Sequence, residues 1–183
     1  MPRFTHRLLI AAAIAGPAAL FAAPAAADHH LPGEAAPLIE RHANNPPGLI
    51  LQAVTVRPGA TMLYLSGQLP SPIDPAATAA RQPAEITSAD FGDTRTQTIS
   101  TLEKIETILA AHGYAMSDLI KMTAFLAGDP ALDGRMDFAG FNAGFREYFG
   151  TEENPNTLAR STVQVAALAA PYFLVELEVV AAK

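Results

Sequence analysis

The chain has 183 residues, 50% hydrophobic and 16% charged, enough for one domain with a real core and too apolar for extensive disorder. Cysteine is absent, which excludes a disulfide framework, a thiolate metal site, a cysteine nucleophile and a lipoprotein anchor. Eighteen acidic against twelve basic side chains give a net charge of −6, the wrong sign for a nucleic-acid binder.

Residues 1–7 carry two arginines and no acid, 8–22 are apolar apart from Gly16-Pro17, and Ala25-Ala26-Ala27 precedes Asp28. A basic start, an apolar middle and a small-x-small end make 1–27 a secretory signal peptide, cleaved after Ala27, with export to the periplasm or medium. The apolar run is too short and interrupted for a membrane span, so no membrane association is expected after cleavage. Losing it leaves 10 basic and 18 acidic groups, net −8. The mature chain would then begin Asp28-His29-His30. A free amine, two amides and the His30 imidazole can wrap Cu(II) or Ni(II) in a square plane, against the plainer reading of a solvated tail. No other metal site is suggested.

Residues 28–47 read as an extended lead-in with at most one short strand, and 48–183 as a single domain. Residues 49–56 and 61–65 flank the turn Arg57-Pro58-Gly59-Ala60, and so predict a β-hairpin. A proline-rich surface loop covers 68–82. The spacing of Phe91, Thr94, Thr98, Leu102, Ile105 and Leu109 predicts a helix over 90–111, capped by Ser88 or Asp90 and stopped at Gly113. Residues 120–126 fit a strand. Phe138, Phe141, Phe145 and Phe149 form one stripe of a second helix over 133–149, a core stripe rather than a ligand platform. Residues 158–166 and 172–181 give two last strands joined by a short turn. The order β-β-α-β-α-β-β implies an α+β fold, one mixed sheet with both helices on one face. In the last strand Phe173, Val175, Leu177 and Val179 point toward the helices. Tyr172, Leu174, Glu176, Glu178 and Val180 point to a face that no helix covers, which another copy of the chain would bury.

The chain lacks a glycine-rich phosphate loop, a metal-spaced histidine pair and a Gly-x-Ser-x-Gly elbow. The candidate chemistry lies near the end of the chain. Arg160 sits at the mouth of a neutral strand, where a guanidinium suits a planar carboxylate, and Glu176 and Glu178 follow on the next strand. The alternative is a structural ion pair between Arg160 and one of those glutamates across the hairpin.

The segments Leu65-Ser66-Gly67-Gln68-Leu69-Pro70, Asp118-Leu119-Ile120-Lys121, Phe141-Asn142, Ala159-Arg160-Ser161 and Val175-Glu176-Leu177-Glu178 shift the balance toward the first reading. In this order and spacing they resemble the Rid family of reactive-intermediate deaminases, also called YjgF or L-PSP, over about residues 45–181. The resemblance implies a chorismate-mutase-like fold, a homotrimer with ligand sites in the clefts between subunits, and no cofactor. It implies hydrolysis of enamines and imines such as 2-aminoacrylate to a 2-oxo acid and ammonia, with a small carboxylate-bearing substrate as the partner. On it, Arg160 holds the substrate carboxylate, Glu176 activates the attacking water, and Ser66, Gly67, Asn142 and Thr162 line the pocket. Two positions depart from the family pattern. Leu49 and Ile50 stand where a tyrosine is common, and Thr162 stands where a cysteine is common. The alternative function is a non-catalytic ligand-binding or protein-interaction trimer using the same cleft. A ribonuclease activity attached to some relatives fits the negative charge least.

Overall fold

The core lies between one face of a four-stranded sheet and two helices, in a computed structural model that describes residues 36–183. The signal-peptide segment, its cleavage site and the His30 reading lie outside the described residues. The strands are β1 (Ile39–His42), β2 (Ala53–Val56), β3 (Met62–Gln68), β4 (Leu119–Ala127), β5 (Ala159–Val165) and β6 (Val175–Ala182). The helices are α1 (Pro75–Ala79), α2 (Thr94–Ala111) and α3 (Phe138–Phe145). The main sheet has the order β3-β6-β4-β5. Its strand β6 is antiparallel to both neighbours, and β5 is parallel to β4. An antiparallel β1–β2 pair stands beside it, joined where Leu51 N donates to Leu158 O at 3.0 Å.

Alternation along β4 and β6 drives this packing. Met122, Ala124 and Leu126 pair in register with Val179, Leu177 and Val175, and all six are buried. Leu102, Ile105 and Leu109 of α2, with Phe141 and Phe145 of α3, complete the same cluster. Both helices thus cover one face, as the element order implied. The other face carries Met62, Tyr64 and Val163, respectively 38%, 70% and 43% exposed, together with Glu176 and Glu178.

Several boundaries and pairings differ from expectation. The hairpin between 49–56 and 61–65 does not form: β2 pairs with β1, whereas β3 pairs with β6. The one short strand allowed in the lead-in therefore exists and captures β2. Helix α2 begins at Thr94 rather than residue 90, because Gly92 adopts φ +79° and Asp93 caps the helix by accepting from Thr96 N at 2.8 Å. Ser88–Asp90 is a separate 3₁₀ turn. The second helix is shorter than 133–149: Asp133 is left-handed, at φ 55°, and the side chain of Asp137 caps α3 through Gly140 N at 2.8 Å. The loop over 68–82 contains α1. Leu174, expected on the open face, precedes β6 and is buried in the core.

Candidate functional site

Arg160 and Glu176 do not face each other across a hairpin, because β4 lies between β5 and β6. Arg160 is in register with the buried Met122 and projects toward the helices. Its Nη2 donates to Asn142 Oδ1 on α3 at 2.7 Å. The guanidinium carbon stands 4.5 Å from the Phe145 ring centre, 4.8 Å from Phe141 and 5.9 Å from Phe138. The phenylalanine stripe therefore serves two purposes. Phe141, Phe145 and Phe149 are core, whereas Phe138 is 45% exposed at the rim above the cation.

This cation has no anion beside it: among the described residues no carboxylate lies within ion-pair reach of Arg160, and its Nη1 is buried without a hydrogen-bond partner. Thr162, two residues along the same face of β5, also has a buried hydroxyl without a partner. Burial, reinforced by the nearby positive charge of Arg146, pushes the Arg160 pKa down to about 10. The group remains charged at neutral pH. A half-buried guanidinium, a free donor and a free hydroxyl together have the chemistry to accept a small oxyanion.

A second cluster lies on the opposite face. Register shifts between Leu65 and Gln68, where β3 bulges through Ser66 and Gly67. The Glu176 carboxylate rests over Gly67, so closely that a Cβ there would collide with it and stand 3.0 Å from its Cδ. Glycine is needed for that approach. Beyond the bulge, Lys104 Nζ of α2 donates to Leu69 O at 2.6 Å, and burial lowers the pKa of its amine. One turn earlier on α2, Ser100 Oγ accepts from Ser71 N at 2.9 Å and donates to Ser71 O at 3.1 Å. Ser100 and Lys104 thus fix the chain that leaves the bulge. Sequence reasoning passed over both, although their i, i+4 spacing on a helix facing a polar loop was available as a signal.

The nominated residues therefore fall into two groups: Arg160, Asn142 and Thr162 on the helix side, and Ser66, Gly67 and Glu176 at the bulged edge. One chain does not bring the two groups together.

The family model described as Endoribonuclease L-PSP matches residues 51–183. The chain belongs to this family, known also as Rid or YjgF. A RutC family protein of Pyrococcus horikoshii is 35% identical over 146 residues, 80% of this chain and 96% of the relative. A Salmonella typhimurium protein named 2-iminobutanoate/2-iminopropanoate deaminase is 33% identical over 108 residues, 59% of this chain and 70% of the relative. A solved Rid-family protein of Yersinia pestis has the same fold, with a TM-score of 0.58 at 20% identity, covering 80% of this chain and 99% of the other. Leu49 packs against the core, and Asn44 Nδ2 donates to Ile50 O at 2.8 Å, so this stretch offers an apolar wall without a phenolic hydroxyl.

Proposed function

We propose that the protein hydrolyses small carboxylate-bearing imines and enamines to 2-oxo acids and ammonia. The observation that carries this reading is the half-buried Arg160 guanidinium with a free Nη1 and, among the described residues, no carboxylate partner. An unneutralised buried cation is costly to maintain, and a substrate carboxylate supplies the missing anion. Arg160 then orients the substrate and Asn142 fixes the plane of the guanidinium. Glu176 takes a proton from water as the water oxygen attacks the carbon of the protonated imine, and the electron pair of the C=N bond moves to nitrogen, which becomes a neutral amine. The resulting carbinolamine collapses when Glu176 returns that proton to nitrogen; the C–N bond breaks, the hydroxyl proton passes back to the Glu176 carboxylate, and ammonia leaves as the carbonyl forms. Because Arg160 and Glu176 project from opposite faces, the working site takes one residue from each of two chains. That requirement supports a homotrimer with its open sheet faces buried.

The test is the rate of 2-oxo acid formation from an imine generated in place by an amino-acid oxidase. Acceleration over spontaneous hydrolysis, lost in Arg160→Lys, is the expected result. A rate equal to the spontaneous one overturns the reading. It would favour a ligand-binding trimer, the alternative supported by the apolar Leu49 and Ile50 in place of a hydroxyl.

A further inference from the structure

The helix that positions Asn142 carries a second unpartnered cation. Arg146, the residue that caps the C-terminus of α3, follows Asn142 by one turn, with Arg146 N donating to Asn142 O at 3.1 Å, so its side chain leaves the helix end on the flank that carries Asn142. Among the described residues it makes no ion pair. The adjacent Glu147 is occupied by Arg95. Arg146 lines a cleft of about 510 Å³ with Gly48, Leu49, Phe149 and Thr157. The bond from Leu51 N to Leu158 O draws residues 48–49 to the start of β5, two residues from Arg160. That volume suits a small metabolite.

We propose that this cleft and the Arg160 guanidinium beside it together select dicarboxylic imino and oxo acids, with Arg160 holding the carboxylate beside the reacting carbon and Arg146 holding the distal one. The proposal rests on the reading of Arg160 as a carboxylate receptor. Two guanidiniums close enough for one to depress the other's pKa repel each other, and a monocarboxylate neutralises only one of them. A dianion spanning both removes the repulsion. Leu49 and Phe149 wall the cleft beside Arg146, and Phe149 stacks at 4.4 Å on Phe145, the ring that lies 4.5 Å from the Arg160 guanidinium; this apolar lining suits the methylene chain joining two carboxylates.

A matched pair of ligands tests this without turnover: 2-oxoglutarate and 2-oxopentanoate have the same five-carbon chain and differ only in the distal carboxylate. Calorimetric titration of the oligomeric protein should show 2-oxoglutarate binding about tenfold more tightly, the scale of one charge-assisted hydrogen bond at a partly wet site. Arg146→Gln should abolish that preference and Arg146→Lys should keep part of it. Arg146 is exposed, so the Gln variant should retain the wild-type melting temperature. Equal or tighter binding of 2-oxopentanoate, or a preference that survives Arg146→Gln, overturns the proposal. In parallel, the hydrolysis rates of the imines of glutamate and norvaline are compared. If neither is hydrolysed while the binding preference holds, the deaminase reading fails and the dicarboxylate site stands. If norvaline imine is hydrolysed as fast as glutamate imine and no binding preference exists, the reverse is true.

Discussion

Arg160 is held by one amide, three aromatic rings and no anion, and that arrangement makes function and stability pull in opposite directions. Burial lowers its pKa, so the unfolded chain binds the proton more tightly than the folded one. The charged form therefore costs stability at every pH below about 10, and the cost falls only as pH rises above that value. Arg160→Met, which fits the aromatic slot without a charge, should melt no lower than wild type and should bind no 2-oxo acid. A structural ion pair would give the opposite result, a marked fall in melting temperature. Arg160→Lys keeps the charge but not the planar fork. It should lose most activity while remaining folded, as measured by imine hydrolysis and circular dichroism on the same sample. Gly67 offers a second test at this scale. The atom that a Cβ would strike is the end of the Glu176 side chain, which can swing away, so Gly67→Ala should cost under about 1 kcal/mol of stability. It should nevertheless displace the carboxylate and lower kcat far more than it raises KM. Equal effects on both parameters would remove Glu176 from the chemical step.

The helix that positions the bulge depends on its first turn. Asp93 accepts hydrogen bonds from Thr96, which hold its carboxyl below the usual range. Asp93→Ala should cost about 1 kcal/mol in urea denaturation at pH 7. Because the folded pKa is depressed, this contribution is complete above the unfolded value of about 3.9 and disappears as pH falls through the folded one. The stability gap between wild type and Asp93→Ala should therefore close in acid. A gap that is constant with pH would mean that the cap acts through packing alone. Sequence periodicity located α2 because its apolar half, Leu102, Ile105 and Leu109, repeats at helical spacing. It overran the start because Phe91, Thr94 and Thr98 continue the same spacing, which carries the helix back to residue 90, past the Gly92 turn and the Asp93 cap; it did not mark the buried Gln97 and Thr101. Gln97 is fully buried, donating to Gly92 O and Tyr172 O and accepting from Leu174 N, a satisfied network that no hydrophobic pattern reveals. The strands were legible for the same reason that their partners were not. Alternation marks a strand and its buried face, but nothing local in 49–65 distinguishes pairing across the Pro58-Gly59 turn from pairing with β1. The candidate site residues were nominated as a set through family resemblance. Their division between two faces depends on β4 entering between β5 and β6, a long-range fact.

At the scale of the whole molecule, that division yields the most discriminating experiment. Val175, Leu177 and Val179 fix one face of β6 in the core, so Glu176 must point away from the helices. Arg160 stacks on Phe141 and Phe145 and must point toward them. No side-chain rotation in a single chain brings a carboxylate two strands away, on the other face, to a substrate held by Arg160. If both residues serve one site, each site combines Arg160 of one chain with Glu176 of the next. Arg160→Lys and Glu176→Gln homo-oligomers should then both be inactive. Unfolding them together and refolding at equal ratio should restore activity, since one contact pairs an intact arginine with an intact glutamate. Random mixing makes such a contact about one in four, so about a quarter of the wild-type activity should return. Mixing without refolding is the control and should restore nothing until subunits exchange. Sedimentation equilibrium on the same samples should give three times the monomer mass. A trimer that regains no activity on mixed refolding would remove Glu176 from the site that Arg160 builds. A stable monomer that is active would remove the shared site altogether.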